Sequence, residues 1–239
     1  MFGGVAPDAL IVLSRIIATL HDADGNVAVP GLHVSPVEQN GYDEATFRDN
    51  AGVLGGVDLI GTGPVGSRLW SRPSVTVIGI DAPAICGSSN ILIPGAAAKV
   101  SLRVAPDADP KRELAILMDY LRKATPWHAR VTVTESSSSP GFVCPDGGPV
   151  YSAAKEALHQ AYGNSVLVKG TGGSIPLLQA LQDVVPKAEF ILWGADDAAN
   201  SRIHGTNESV AIGELERMII AQCLLFLALG EPAGMEDRD

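Results

Sequence analysis

The stretch SRIHGTNESV, residues 201 to 210, sets His204 three residues before Asn207 and four before Glu208. An imidazole near a carboxylate suggests a metal centre, yet zinc takes three or four protein ligands around one ion. No HExxH or H-x-D pattern occurs, and His21, His33, His128 and His159 have no carboxylate two residues on. His204 by itself supplies one ligand and no site.

Two other stretches have anion-binding chemistry. KGTGGSIP (169–176) is expected to follow a strand and open a helix, so its backbone N–H groups would face an anion. It fits neither GxGxxG nor the P-loop pattern, and Ser174 capping a helix with Pro176 in its first turn explains it locally as well. Arg103 falls on the polar side of an alternating strand, where most arginines are solvated or paired with an acid. HDADGNVAV (21–29) is not an EF-hand: its glycine is misplaced, and His33 stands where the twelfth-position Glu belongs. It reads as a solvated turn.

The elements that must position these residues follow from periodicity. Leu10, Leu13, Ile17 and Leu20 recur at helical spacing after Pro7, predicting a helix over 7–20 that ends in the DADGN turn. Residues 35–72 are Gly-rich and irregular, with short helical possibilities. SVTVIGI (74–80), KVSLRV (99–104) and ARVTVTE (129–135) alternate as strands, predicting one antiparallel sheet. DPKRELAILMDYLRKATP carries Asp109 as N-cap, Pro110 in the first turn and an apolar stripe of Leu114, Leu117 and Leu121. These pieces make a small α+β domain ending near residue 137, with SSSSPG (136–141) as linker.

Beyond the linker the rhythm changes. A helix over about 151–162 stops at Gly163, then come VLVK, the glycine turn, a helix from Ser174, FILW and a long final helix over about 207–229. Alternating helices and strands predict a parallel sheet with helices on its faces, so the fold class is α/β.

Composition excludes several classes. The 239 residues carry 17 basic and 27 acidic side chains, a formal net charge of −10. The basic residues are scattered, so neither nucleic acid nor an anionic membrane is a partner. Cys86, Cys144 and Cys223 form no CxxC pair and suggest small buried thiols in a reducing cytoplasm. MIIAQCLLFLALG near the end is shorter than the roughly 20 apolar residues that span a bilayer, and reads as a buried helix. The opening apolar run lacks a basic n-region and is interrupted by Arg15, so it reads as an amphipathic helix rather than a signal peptide.

Taken in order, FGGVAP, SLRVAP, GGSIP and HGTNES resemble the metal-dependent dipeptidase and deacylase family of carnosinase and succinyl-diaminopimelate desuccinylase. LHDADGNVAVPG, WSRPSVTVIGI and NILIPGAAAKVSLRVAPDADP fall in the family's order, so the resemblance covers essentially the whole chain. It implies a lid and dimerisation domain over 1–137, lacking its first strand, and the C-terminal part of a zinc-peptidase catalytic α/β domain over 138–239. It assigns His204 as a metal ligand, and Asn90, Arg103, Gly172, Gly173 and Ser174 as binders of the substrate's terminal carboxylate. The co-ligands of two zinc ions and the general base would come from a preceding part absent here, so this chain alone is expected to be inactive and homodimeric. Its substrate would be a dipeptide or an N-acylated amino acid. Thr171 stands where carnosinase-type members often have Glu, so that residue's role is not carried over. A non-catalytic homodimerisation module and a carboxylate-binding protein are the rival readings.

Overall fold

The computed structural model describes residues 2–36, 42–144, 147–170, 175–195, 200–203 and 205–230. In chain order come α1 (Ala9–Ala18), α2 (Glu44–Ala51), α3 (Val65–Trp70), β1 (Ser74–Asp81), β2 (Ala97–Arg103) and α4 (Pro110–Lys123). A 3-10 turn (Pro126–His128), α5 (Pro149–Tyr162), α6 (Pro176–Val184) and α7 (Ile212–Gly230) follow. The chain divides into two compact units. The first holds Met1–Tyr42, Asp58–Phe142 and Gly170–Pro176; the second holds Asp43–Val57, Val143–Lys169 and Leu177–Asp239.

In the first unit, α1 begins later than its apolar spacing suggests, because Asp8 and not an earlier residue is the N-cap. Its Oδ1 accepts from the N–H groups of Leu10 and Ile11 at 2.9 and 3.2 Å, satisfying donors that the first helical turn leaves free. Its Oδ2 accepts from Ile93 N–H at 2.8 Å, and this bond above all holds the Asp8 carboxyl below its ordinary pKa. One carboxylate thus ties α1 to the connection between β1 and β2. Pro7 precedes the cap and does not sit in the first turn.

The two strands pair antiparallel, with Ser74 opposite Arg103 and Asp81 opposite Ala97. Period-2 alternation turns Val75, Val100 and Leu102 toward one face, where they meet Leu20, Val29 and Leu117. Tyr120 and Leu121 of α4 pack against the same cluster. Burying a leucine such as Leu20 or Leu117 contributes about 1.5–3 kcal/mol. Asp109 caps α4 with Pro110 in its first turn, as the sequence predicts. The third predicted strand, 129–135, does not form. Alternation supplies a face but not a neighbour, and no described strand runs alongside to receive its backbone groups. Arg122 Nη2 donates to Val133 O at 3.3 Å instead.

In the second unit, α5 ends where predicted, at Gly163 in the left-handed region with φ 72°. Its N-cap, Gly148, has no side chain to offer, and Glu189 takes over: Oε2 accepts from Tyr151 N–H at 2.8 Å. The carboxylate also complements the positive end of the helix dipole. α5 packs on α7 through Ala154, Ala157 and Leu225, the two alanines letting the helix backbones approach. VLVK and FILW form no strand, so the predicted parallel sheet is absent among the described residues. A parallel strand needs neighbours on the same sheet, and the described chain gives these two segments none.

α7 is not the buried helix that its composition suggests. Ala221 and Leu225 are buried, whereas Ile219 and Leu227 are 55% and 67% exposed. The thiols depart from expectation too: Cys86 and Cys223 are exposed rather than buried. No described helix is long and apolar enough to cross a membrane.

Candidate substrate-binding site

Arg103 closes β2, opposite Ser74 at the start of β1. It lies on the polar side with Lys99 and Ser101, but those two are exposed while Arg103 is half-buried. Burial lowers its guanidinium pKa from the ordinary value, and its Nε is buried with no hydrogen-bond partner. Leaving such a donor unmade costs about 1–3 kcal/mol, and more for a charged group. A planar fork of donors, partly desolvated and unpaired, is suited to a carboxylate arriving from outside.

Asn90 is exposed, in the connection that leaves the hairpin at Asp81 and returns at Ala97. That is the end of the ladder opposite Arg103, and no described contact joins the two side chains. The connection is held at Ile93 by Asp8. Gly172, Gly173 and Ser174 lie outside the described residues, as does His204. The flanks of both stretches are described.

Gly170, where the glycine turn begins, sits against Trp70 at the end of α3. A Cβ at this glycine would lie 2.6 Å from Trp70 Cγ and 2.7 Å from its Cδ1, so no side chain fits there. On either side of position 204, Arg202 and Asn207 adopt left-handed backbone, with φ 52° and 60°. Asn tolerates this region and Arg seldom enters it. Gly205 N–H donates to Arg202 O at 2.7 Å, and Ser209 N–H to Ser201 O at 2.9 Å, which pins both ends of the loop. Ala195, Ser201, Ile203, Glu208, Ser209 and Val210 line a surface depression there.

Among the described residues no three His, Cys, Asp or Glu side chains come together as ligands. In the DADGN turn, Asp22 Oδ1 is occupied by the N–H groups of Asp24 and Asn26 at 3.0 and 2.8 Å. That carboxylate organises a turn.

Sequence reasoning missed Trp70. Its neighbours in SRLWSRPSV show nothing but a short helix running into a strand, and a contact spanning 100 positions leaves no local signal.

A family model described as the peptidase dimerisation domain matches residues 2–129. The cysteinylglycine-S-conjugate dipeptidase of Corynebacterium striatum is 38% identical over 235 residues, covering 96% of this chain and 51% of that protein. Among solved structures, human carnosine dipeptidase 1 superposes with a TM-score of 0.78 at 20% identity, covering 95% of this chain and 50% of that one. The dipeptidase Dug1p of Saccharomyces cerevisiae gives 0.74 at 18% identity, covering 97% and 51%. The chain spans about half the length of the curated relatives it matches.

Proposed function

The chain belongs to the metal-dependent dipeptidase and deacylase family of carnosinase, carrying its peptidase dimerisation domain, and from that premise we propose that it is the lid and C-terminal catalytic portion of a zinc-dependent dipeptidase. The bond cleaved is a peptide or amide bond next to a free carboxylate. The substrate is a dipeptide of the cysteinylglycine class, by likeness to the relative named for S-conjugates of that dipeptide. Residues 1–137 serve as lid and homodimerisation domain, and 138–239 as catalytic portion, in the cytoplasm.

The observation that carries this reading is Arg103: half-buried, desolvated, and with an unpartnered Nε. It receives the substrate's terminal carboxylate, joined by the amides of Gly172, Gly173 and Ser174, with Asn90 contributing from the lid. Fixing that carboxylate orients the scissile carbonyl, which lowers the entropic part of the barrier. Zinc, where bound, polarises a carbonyl and makes a bound water acidic. The described residues do not assemble a ligand set, so no step through the metal is derived from them. His204 is assigned as a single ligand, and catalysis by this chain alone is not expected.

Hydrolysis of cysteinylglycine with added zinc tests this on the chain alone and on a version extended with upstream-encoded residues. Turnover only in the extended version, lost in Arg103→Met, is the expected result. Turnover by the chain alone would show that the site is complete without other sequence. Turnover insensitive to Arg103 would remove the carboxylate assignment.

A further inference from the structure

Ile93 completes the cap of α1 from 85 positions away. The first turn of a helix leaves four N–H groups without a partner inside the helix. Here Leu10 and Ile11 donate to Asp8 Oδ1 at 2.9 and 3.2 Å, and Val12 N–H donates to Asp8 O at 3.0 Å. The remaining donor, Ala9 N–H, reaches Ile93 O at 3.2 Å, while Ile93 N–H donates to Asp8 Oδ2 at 2.8 Å. The exchange is reciprocal, so one carboxylate serves both the helix and the connection.

That connection is an arm over residues 82–96, between β1 and β2. Its outer part is open to solvent: Asn90, Ile91 and Leu92 are exposed, and Ile85 is 95% exposed. Ile91 N–H donates to Ser89 O at 2.8 Å, a tight turn with Asn90 at its centre. Among the described residues, the two bonds at Ile93 are the hydrogen bonds that join residues 82–96 to the rest of the first unit. Asn90 stands three positions before that anchor.

We propose that Asp8 is the positioning residue of this arm, its Oδ2 bond to Ile93 fixing where Asn90 is presented and its Oδ1 cap tying that placement to α1. This rests on the reading of Asn90 as a substrate contact. Asp8 touches no substrate in this role. An anchored arm offers Asn90 in one place, whereas a free arm must be ordered at each binding event, which weakens binding.

Asp8→Ser separates the two jobs. A serine hydroxyl caps a helix about as well as a carboxylate, but its single oxygen leaves no second acceptor for Ile93. Amide exchange by NMR in the full chain should be about tenfold faster at Ile93, with Leu10 and Leu117 unchanged. Asp8→Ala, which removes both oxygens, should speed Leu10 as well. Unchanged exchange at Ile93 in Asp8→Ser, or equal acceleration at Leu10, overturns the proposal.

Cysteinylglycine, titrated into the same samples, reads the consequence. The Asn90 side-chain amide should shift in the unaltered chain, and Asp8→Ser should bind about threefold to tenfold more weakly. Undiminished affinity in Asp8→Ser, with Asn90 responding, overturns the positioning role. An Asn90 amide that ignores saturating cysteinylglycine overturns the reading of Asn90 as a substrate contact, whatever the exchange at Ile93, and the positioning role falls with it.

Discussion

The backbone N–H of His33 donates to Oε2 of Glu113 at 2.7 Å, joining residues 80 apart in sequence. Glu113 is 1% exposed, and its Oε1 pairs with Arg112 Nη1. The His33 ring reaches the turn before α4, with Nε2 3.0 Å from Asp107 Oδ2. The segment after Val29 is thereby fastened to both ends of one short stretch.

Glu113→Ala should cost about 2–3 kcal/mol, since it strands the part-buried His33 N–H and leaves a void in place of a buried side chain. Glu113→Gln keeps an acceptor and should cost less. Urea unfolding followed by circular dichroism measures both, and equal losses would mean that packing rather than the acceptor holds the segment.

Asp107 makes the stability of the first unit depend on acid. The contact with the His33 ring, ahead of other contributions, holds its carboxyl below the ordinary value of 3.8. A folded pKa below the unfolded one stabilises above the unfolded value, and that stability is lost as pH falls through the folded one. Wild type should therefore exceed Asp107→Asn in stability near neutrality, and the two should converge below about pH 4. A constant difference down to about pH 2 would assign the effect to something other than titration.

Two glycines separate backbone strain from steric overlap. Gly52 has φ 61° with nothing within 4 Å, so Gly52→Ala should cost about 1 kcal/mol for the left-handed region alone. Gly25 has φ 82°, and a Cβ there would lie 2.6 Å from Ile60 Cβ. Gly25→Ala should add about 1–3 kcal/mol of overlap to the same strain. Thermal unfolding of both variants checks the difference.

The apolar surface of α7 should drive association. Ile212, Phe226 and Leu227 are 75%, 62% and 67% exposed, and contiguous apolar patches favour self-contact. Sedimentation velocity should show mass rising with concentration, and Leu227→Glu should reduce the rise. Hydrogen exchange should be faster in α7 than in α4. A monodisperse monomer with equal protection in both helices would refute the expectation.

What could be read from the sequence is what local chemistry decides. Asp109 before Pro110, Gly163 after an apolar period, and the alternation of Val100 and Leu102 each act within a few residues, and each reappears in place. VLVK, FILW and ARVTVTE carry the same strand pattern as SVTVIGI, yet only SVTVIGI finds a partner in β2. Strand formation is decided by a neighbour, and the pattern of one segment contains no information about the other. Among the site residues, Arg103 was legible as a strand residue of the polar face, but its burial was not.

The first unit takes up Gly170–Pro176 after the chain has already passed through Val143–Lys169 of the second. During vectorial synthesis its apolar cluster, all within residues 20 to 121, can close early. Trp70 must wait for Gly170, which leaves the ribosome about 100 residues later. A nascent chain can thus hold a finished apolar core in the first unit before the segment beginning at Gly170 has been made. Order of emergence, rather than distance in the finished fold, determines when the Trp70 ring first meets Gly170.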